Sequence, residues 1–322
     1  MNEIGRKIAD KLIEIYGSSE FRICFLPYKR SMWDCMRSVY EECIASGVET
    51  HLLPLPYYRM KINKEVDYID YDDFGKDAEP IENLEKLYPD YVVIHYQYNG
   101  NNKVTKMLPR YYTKAIKNRT GAKVIYIPYA VPYGGLSNTH FRLQPGLENV
   151  DYFFLQSDKE CECFIRDWKT KGIDFTGKVF GFGSPKVDSI QSTVKEIPET
   201  WLPKIEDRSV TLLINSLAPY LNKPYEKIET YKRIIEEELI RGQTVIFRPH
   251  PLLRTTIRAM RPDTEPAYIR FIEKYADSFH VIIDTSEYLE RALAIADYLI
   301  SDPSSVVEAW KATGKPYEVI NG

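Results

Sequence analysis

The chain has 322 residues, enough for two domains, and its 44% hydrophobic and 28% charged residues are those of an ordinary soluble globular protein. A net charge of -3 gives nucleic acid no global attraction, and no apolar run approaches the length of a bilayer span, so membrane contact would be peripheral. The five cysteines contain no CxxC pair, which argues against a cysteine metal site and fits a reducing cytosol.

Taken in order, residues 3 to 16 place Ile4, Ile8, Leu12 and Ile13 on one face of an amphipathic helix, with Arg6, Lys7 and Lys11 on a solvated one. The N-terminus lacks the apolar core of a signal peptide. Arg22 to Leu26 reads as a strand. Ser31 and Asp34 then resemble a capping box, opening a helix that carries Met32, Cys35, Met36, Val39, Tyr40, Cys43 and Ile44 until Gly47. His51 to Leu55 is a second strand, and the acidic, tyrosine-rich stretch to about residue 78 reads as an insertion loop. Tyrosine is frequent, at 25 residues, and in such loops it packs onto the domain at least as often as it lines a cleft.

Tyr91 to Ile94 is a strand ending at His95, and Ala122 to Ile127 is another. Tyr152 to Leu155, a helix through Ile165 and Trp168, and Lys178 to Phe180 complete the first alternation. Short apolar runs flanked by helices indicate a buried parallel sheet. The rhythm breaks between Ile190 and Arg208. This predicts an N-terminal domain over 1–190, a linker over 191–208 and a C-terminal domain over 209–322.

The second alternation runs through Val210 to Ile214, a helix around Tyr225 to Leu239, a strand ending in Arg248-Pro-His-Pro251, Val281 to Ile283, a helix from Ser286 to Ala296, Tyr298 to Ile300, and Tyr317 to Ile320. The predicted fold is α/β: two doubly wound, parallel-sheet, Rossmann-like domains with a cleft between them. Ligands of such sheets sit beyond the carboxyl ends of the strands, where both polar stretches of the second domain fall.

The first of these stretches is Ser301-Asp-Pro-Ser-Ser305. Asp302 is expected to cap a helix with Pro303 in its first turn, leaving the amides and hydroxyls of Ser304 and Ser305 to bind phosphate; plain helix capping is the competing explanation. In the second, Pro249 and Pro251 restrain Arg248 and His250. A fixed guanidinium suits a bidentate phosphate contact, and an imidazole suits hydrogen bonding or proton transfer. His51, His140 and His280 lie in or beside ordinary strands and loops, whereas His95 stands at the carboxyl end of a strand. Gly181 and Gly183 form a lone Gly-x-Gly, a weak signal that an interdomain turn explains equally well.

Arg248-Pro-His-Pro251, Ser301-Asp-Pro-Ser-Ser305 with Glu308, and Gly314-Lys-Pro316 together resemble the C-terminal half of the CDP-glycerol glycerophosphotransferase family, the teichoic-acid-type polymerases and primases of GT-B fold. Gly183-Ser-Pro-Lys-Val-Asp188 resembles the segment before the second domain in that family. Phe25 to Asp34 and Tyr126-Ile-Pro-Tyr129 are also similar to some of its bacterial members.

The resemblance implies transfer of glycerol phosphate, or a related alditol phosphate, from CDP-glycerol to an acceptor hydroxyl in surface-polymer synthesis, with release of CMP. The partners would be a CDP-alditol donor and a polymer or lipid-linked acceptor. The site would be cytoplasmic, at the inner membrane face, with no cofactor and no metal. His250 would contact the pyrophosphate with Arg248 nearby, Ser304 and Ser305 would bind the same phosphates, and Glu308 would reach a ribose hydroxyl. The family's N-terminal His-Gly-Thr type motif is absent from the loop Ile127-Pro-Tyr-Ala-Val-Pro-Tyr-Gly-Gly135, so the base is either replaced by His95 or missing. GT-B proteins commonly add a terminal helix, so the stop at Gly322 reads as a shortened second domain. Two alternatives stand beside this reading: a sugar-nucleotide glycosyltransferase or epimerase, and a nucleotide-binding module without activity.

Overall fold

The computed structural model describes residues 2–61, 64–96, 105–129, 131–286 and 288–320. The chain forms two compact units, Met1–Ser192 and Thr193–Gly322.

The first unit is built on six parallel strands: β1 (Arg22–Phe25), β2 (Glu49–Leu52), β5 (Tyr91–Ile94), β7 (Lys123–Tyr126), β8 (Tyr152–Leu155) and β9 (Val179–Gly181). Their order is β2-β1-β5-β7-β8-β9. Side chains alternate across a strand, so one run of apolar residues feeds two cores. Ile23, Phe25, Tyr91, Val93 and Ile125 face one side, where helices α1 (Glu3–Tyr16) and α2 (Arg37–Ala45) add Ile8, Leu12, Val39 and Cys43. Cys24, Val92, Ile94, Val124 and Phe153 face the other, against Ile116 of α3 (Thr113–Thr120) and Phe164 and Trp168 of α5 (Asp158–Lys169). The short helix α4 (Thr139–Arg142) and helix α6 (Pro185–Ser192) complete the unit.

Two expectations need correction here. The stretch after Leu55 is not an insertion loop. It forms β3 (Tyr57–Met60) and β4 (Val66–Asp70), which join β6 (Thr105–Met107) in an antiparallel sheet of order β4-β3-β6. The strand that pairs with β3 on its other side lies nearly fifty residues downstream, so periodicity within the stretch could not reveal that pairing. Tyr57 is fully buried there, its hydroxyl 2.6 Å from Asp72 and 2.5 Å from Lys29 Nζ. The helix expected from Ser31 begins instead at Arg37, after a 3₁₀ segment, Arg30–Cys35, with no side-chain cap. Asp34 is turned toward Lys186 Nζ, 3.3 Å away.

The second unit opens with α7 (Leu202–Ile205) and continues through β10 (Val210–Ile214), α8 (Leu217–Asn222), α9 (Pro224–Ile240), β11 (Thr244–Arg248), α10 (Leu253–Met260) and α11 (Glu265–Ala276). Then follow β12 (Val281–Ile283), α12 (Leu289–Ile295), β13 (Tyr298–Ser301), α13 (Ser305–Lys311) and β14 (Tyr317–Val319). The five strands are parallel in the order β12-β11-β10-β13-β14. Leu213, Val245, Phe247, Val281 and Ile300 pack with Tyr231 and Ile235 of α9 and Phe271 of α11. Because every strand runs the same way, the five carboxyl ends are brought side by side on one edge of the sheet. Among the described residues, no helix is long and apolar enough to cross a membrane.

Candidate functional site

Strand register sets the geometry of that edge. Ile214 is level with Arg248 on one side and Ser301 on the other, and Phe247 is level with Ile283. The next residues, Asn215, Pro249, Asp302 and Asp284, therefore emerge together. His250 follows at once.

His250 is fixed at two points. Its amide donates to Asn215 Oδ1 at 2.9 Å, and its ring Nδ1 accepts the amide of Leu252 at 3.1 Å. A backbone N–H only donates, so Nδ1 carries the lone pair and Nε2 carries the proton. Burial holds the ring pKa down at about 4, which keeps the imidazole neutral near pH 7. His250 thus offers a fixed Nε2–H donor rather than a base.

Arg248 is less available than its sequence setting suggests. Its guanidinium is buried and pairs with Asp284, with further bonds to Ser286 Oγ at 3.3 Å and to the Ser286 carbonyl at 2.7 Å. Asp284 also receives the Ser286 amide at 2.9 Å. Arg248 therefore braces the loop after β12.

The expected capping role of Asp302 also needs correction. The N-cap of α13 is Ser304, and Pro303 lies outside the helix. Asp302 is fully buried and its carboxylate points inward: Oδ1 receives Lys227 Nζ at 3.1 Å, and Oδ2 receives Tyr231 OH at 2.6 Å and the Ser216 amide at 2.9 Å. A buried carboxylate needs such partners, and two charged or phenolic donors on α9 outcompete a local cap. Ser301 is buried as well, its hydroxyl donating to the Asp302 carbonyl at 2.7 Å. Ser304 is half-buried and Ser305 exposed. Neither the Ser304 side chain nor another caps α13, whose seven residues give only a short dipole. Glu308, one turn further, receives Lys311 Nζ at 2.9 and 3.0 Å. Behind this helix, Trp310 Nε1 donates to the carbonyls of Lys315 and Pro316, which holds the Gly314-Lys-Pro316 turn in place.

His95 lies apart from these residues, in the first unit. It is fully buried at the carboxyl end of β5, and its Nε2 accepts the Tyr28 amide at 2.8 Å. Burial, with the Lys186 charge adding to it, lowers its pKa to about 3. A neutral ring whose one lone pair is occupied has none left for a substrate proton. His95 holds the turn after β1, and the role of substitute base does not fit its geometry.

The Gly-x-Gly has a packing explanation. A Cβ on Gly181 would stand 2.4 Å from the amide of Asp158 at the start of α5. Among the described residues, no group of three or more His, Cys, Asp or Glu is arranged to hold a metal.

Four residues of this edge escaped the sequence reading. Asn215 and Asp284 each directly follow an apolar run, the same signal that exposed Asp302. Lys227 and Tyr231 fall in the buried stripe of α9 with Ile228, Ile234 and Ile235, and a lysine in such a stripe implies a buried partner. Asn215 Nδ2 is buried with no hydrogen-bond partner among the described residues.

No protein-family model matches the chain, and no curated protein matches it. Solved structures do. A putative UDP-N-acetylglucosamine 2-epimerase from Listeria monocytogenes is 12% identical, with a TM-score of 0.57, covering 94% of this chain and 79% of that one. The UDP-GlcNAc 2-epimerase of Methanocaldococcus jannaschii, in complex with UDP-GlcNAc and UDP, is 13% identical with a TM-score of 0.56, covering 92% and 83%. The wall teichoic acid polymerase TagF, solved with CDPG, is 16% identical with a TM-score of 0.53, covering 98% and 73%. At these identities the likeness establishes the fold, which is GT-B-like with two Rossmann-like domains.

Proposed function

We propose that the chain is a GT-B-type enzyme whose second unit binds a nucleotide diphosphate donor at the carboxyl edge of its sheet, and that the donor is a CDP-alditol such as CDP-glycerol. The observation that carries the reading is His250, a neutral imidazole beyond the strand ends whose backbone amide and ring Nδ1 are both engaged, which leaves Nε2–H as its donor. Such a donor suits a pyrophosphate oxygen, and it costs no reorganisation on binding. The hydroxyls of Ser304 and Ser305 and the open amides of their turn add neutral donors beside it. Glu308 accepts from a ribose hydroxyl. Arg248 and Asp302 support the loops from behind.

In the transfer itself, the acceptor oxygen attacks the phosphorus that bears the glycerol. The bond from that phosphorus to the CMP oxygen breaks, and the acceptor proton passes to solvent or to a base. Reactions of this type depend on positioning and charge stabilisation, which a rigid set of donors supplies. The acceptor is a polymer or a lipid-linked chain, reached by peripheral contact with the inner membrane face. The motifs around Arg248, His250, Ser304, Glu308 and Gly314 favour CDP-glycerol, as does the teichoic acid polymerase among the similar structures.

A second reading, a UDP-sugar enzyme, is favoured by the slightly higher TM-scores of the UDP-GlcNAc 2-epimerases. Calorimetric titration of CDP-glycerol, CDP-ribitol, UDP-GlcNAc and CMP separates the two. Binding of a CDP-alditol, weakened in His250→Ala, supports the first reading. Binding of UDP-GlcNAc alone replaces it with the second, and a chain that binds none of the four is not a donor-binding protein.

A further inference from the structure

Behind the polar edge runs a series of contacts that the donor contacts above leave unused. Lys227 and Tyr231, one turn apart on α9, are both buried. They hold the Asp302 carboxylate, which in turn holds the amide of Ser216. The neighbouring Asn215 holds the amide of His250. Helix α9 is thereby tied, through the loops after β13 and β10, to the imidazole after β11.

We propose that Lys227 is a positioning residue for anion binding at this edge: it fixes Asp302 and cancels that residue's charge beside the bound phosphates. The inference rests on the donor site proposed above. A buried carboxylate near a phosphate site works against the ligand, because charges in a low-dielectric interior act over several ångströms. Asp302 cannot simply be dispensed with, since it organises Ser216. The lysine removes the electrostatic penalty while the geometry is kept. Its Nζ reaches Asp302 Oδ1 at 3.1 Å from helix α9, and both side chains are buried. The groups facing Asp302 are Lys227 and Tyr231 from α9 and the Ser216 amide from the loop after β10. Tyr220 of α8 and Tyr268 of α11 lie close to Tyr231, and burial raises the pKa of all three phenols, so none titrates near neutral pH. On the neighbouring strand-end loop, His250 is likewise neutral.

The test is calorimetric titration of the full chain with CDP-glycerol and UDP-GlcNAc between about pH 6 and pH 8.5, with a thermal melt of each variant. The diphosphate of either probe carries constant charge over this range. The variants are Lys227→Met, Lys227→Met/Asp302→Asn and His250→Ala. In Lys227→Met, affinity should fall about tenfold or more, because the Asp302 charge is left uncancelled beside the ligand. The double variant, with no buried charge at the pair, should bind within about threefold of wild type at every pH. A purely structural lysine shows its loss and its rescue in the thermal melts and leaves the affinity of the folded protein unchanged.

A folded Lys227→Met that binds as wild type, or one whose weakened affinity the added Asp302→Asn does not restore, overturns the proposal. If His250→Ala still weakens binding in that case, the donor site stands without it. If wild type binds neither probe, the donor site fails and this inference fails with it. Should Lys227→Met not fold, the double variant decides: a loss beyond about tenfold overturns the proposal.

Discussion

The carboxylate of Asp188 closes on the amide of Gly5 at 2.7 Å, across 183 residues of sequence. Its other oxygen, Oδ1, takes the Ile4 amide at 3.1 Å, and the Ser38 hydroxyl donates at 3.0 Å to Oδ2, the oxygen that takes Gly5. Helix α1 has no side-chain cap of its own, so Asp188 of α6 supplies both the acceptors and the negative charge that its N-terminus favours. The segment Gly183-Ser-Pro-Lys-Val-Asp188, first noticed for its resemblance to a family motif, is thus the clasp that closes the first unit: Lys186 meets Asp34, and Asp188 meets α1.

Asp188→Ala should therefore destabilise the first unit by about 2 to 4 kcal/mol, since three donors lose one buried, charged acceptor. Gly5→Ala should act on the same joint for a different reason. A Cβ there would stand 2.6 Å from the backbone of Ser38, which cannot yield without moving α2. Urea denaturation followed by circular dichroism measures both. A change below about 0.5 kcal/mol in either variant would count against the clasp.

The two clamped histidines predict how stability depends on pH. Both folded pKa values, about 3 for His95 and about 4 for His250, lie below the ordinary value near 6.5. The unfolded chain then binds more protons in that window, so stability is fully present above about pH 6.5 and declines as pH falls toward 4. His95→Gln keeps an acceptor for the Tyr28 amide without a titrating group. Its stability should decline less steeply over the same window in urea titrations repeated at stepped pH.

For nucleotide binding, His250→Ala should weaken the CDP-alditol complex by about 1 kcal/mol or more, the scale of a hydrogen bond to a charged group. Wild-type affinity should stay level between about pH 5.5 and pH 8, because the ring remains neutral and Nε2–H remains a donor throughout. An affinity that rose steeply on acidification through pH 6.5 would show instead that the imidazolium is the binding form.

Arg248 offers a test of bracing against direct contact. Arg248→Met alone leaves Asp284 buried without its partner and should cost about 3 to 5 kcal/mol of stability. Replacing both residues by Met removes the charge and should recover most of that loss. If Arg248 only braces the loop, the double variant keeps donor affinity within about threefold of wild type. A drop of tenfold or more, in a protein that melts normally, would place the guanidinium on the ligand.

Much of the architecture was legible because it rests on local pattern. Val210 to Ile214, Val281 to Ile283, Tyr91 to Ile94 and Tyr152 to Leu155 are strands as the sequence implied. Apolar runs bounded by polar residues have few other ways to be buried. The alternation of such runs with helices implied parallel sheets, and parallel sheets place their ligand-binding edge at the strand ends. In this way residue type and order alone were enough to place His250 and Ser304 just beyond the carboxyl ends of their strands.

Direction and partnership were decided only in three dimensions. Asp302 and Arg248 stand at the right strand ends, yet each side chain turns inward to an opposite charge supplied by a distant element, Lys227 of α9 and Asp284 after β12. His95 loses its basic lone pair to an amide 67 residues away. The strands β3 and β4 find their third partner only in β6. In each case a buried polar group or an open strand edge had to be satisfied, and the group that satisfies it is remote in sequence. Local pattern set where the elements lie, and the requirement that buried polar groups be paired set what their side chains do.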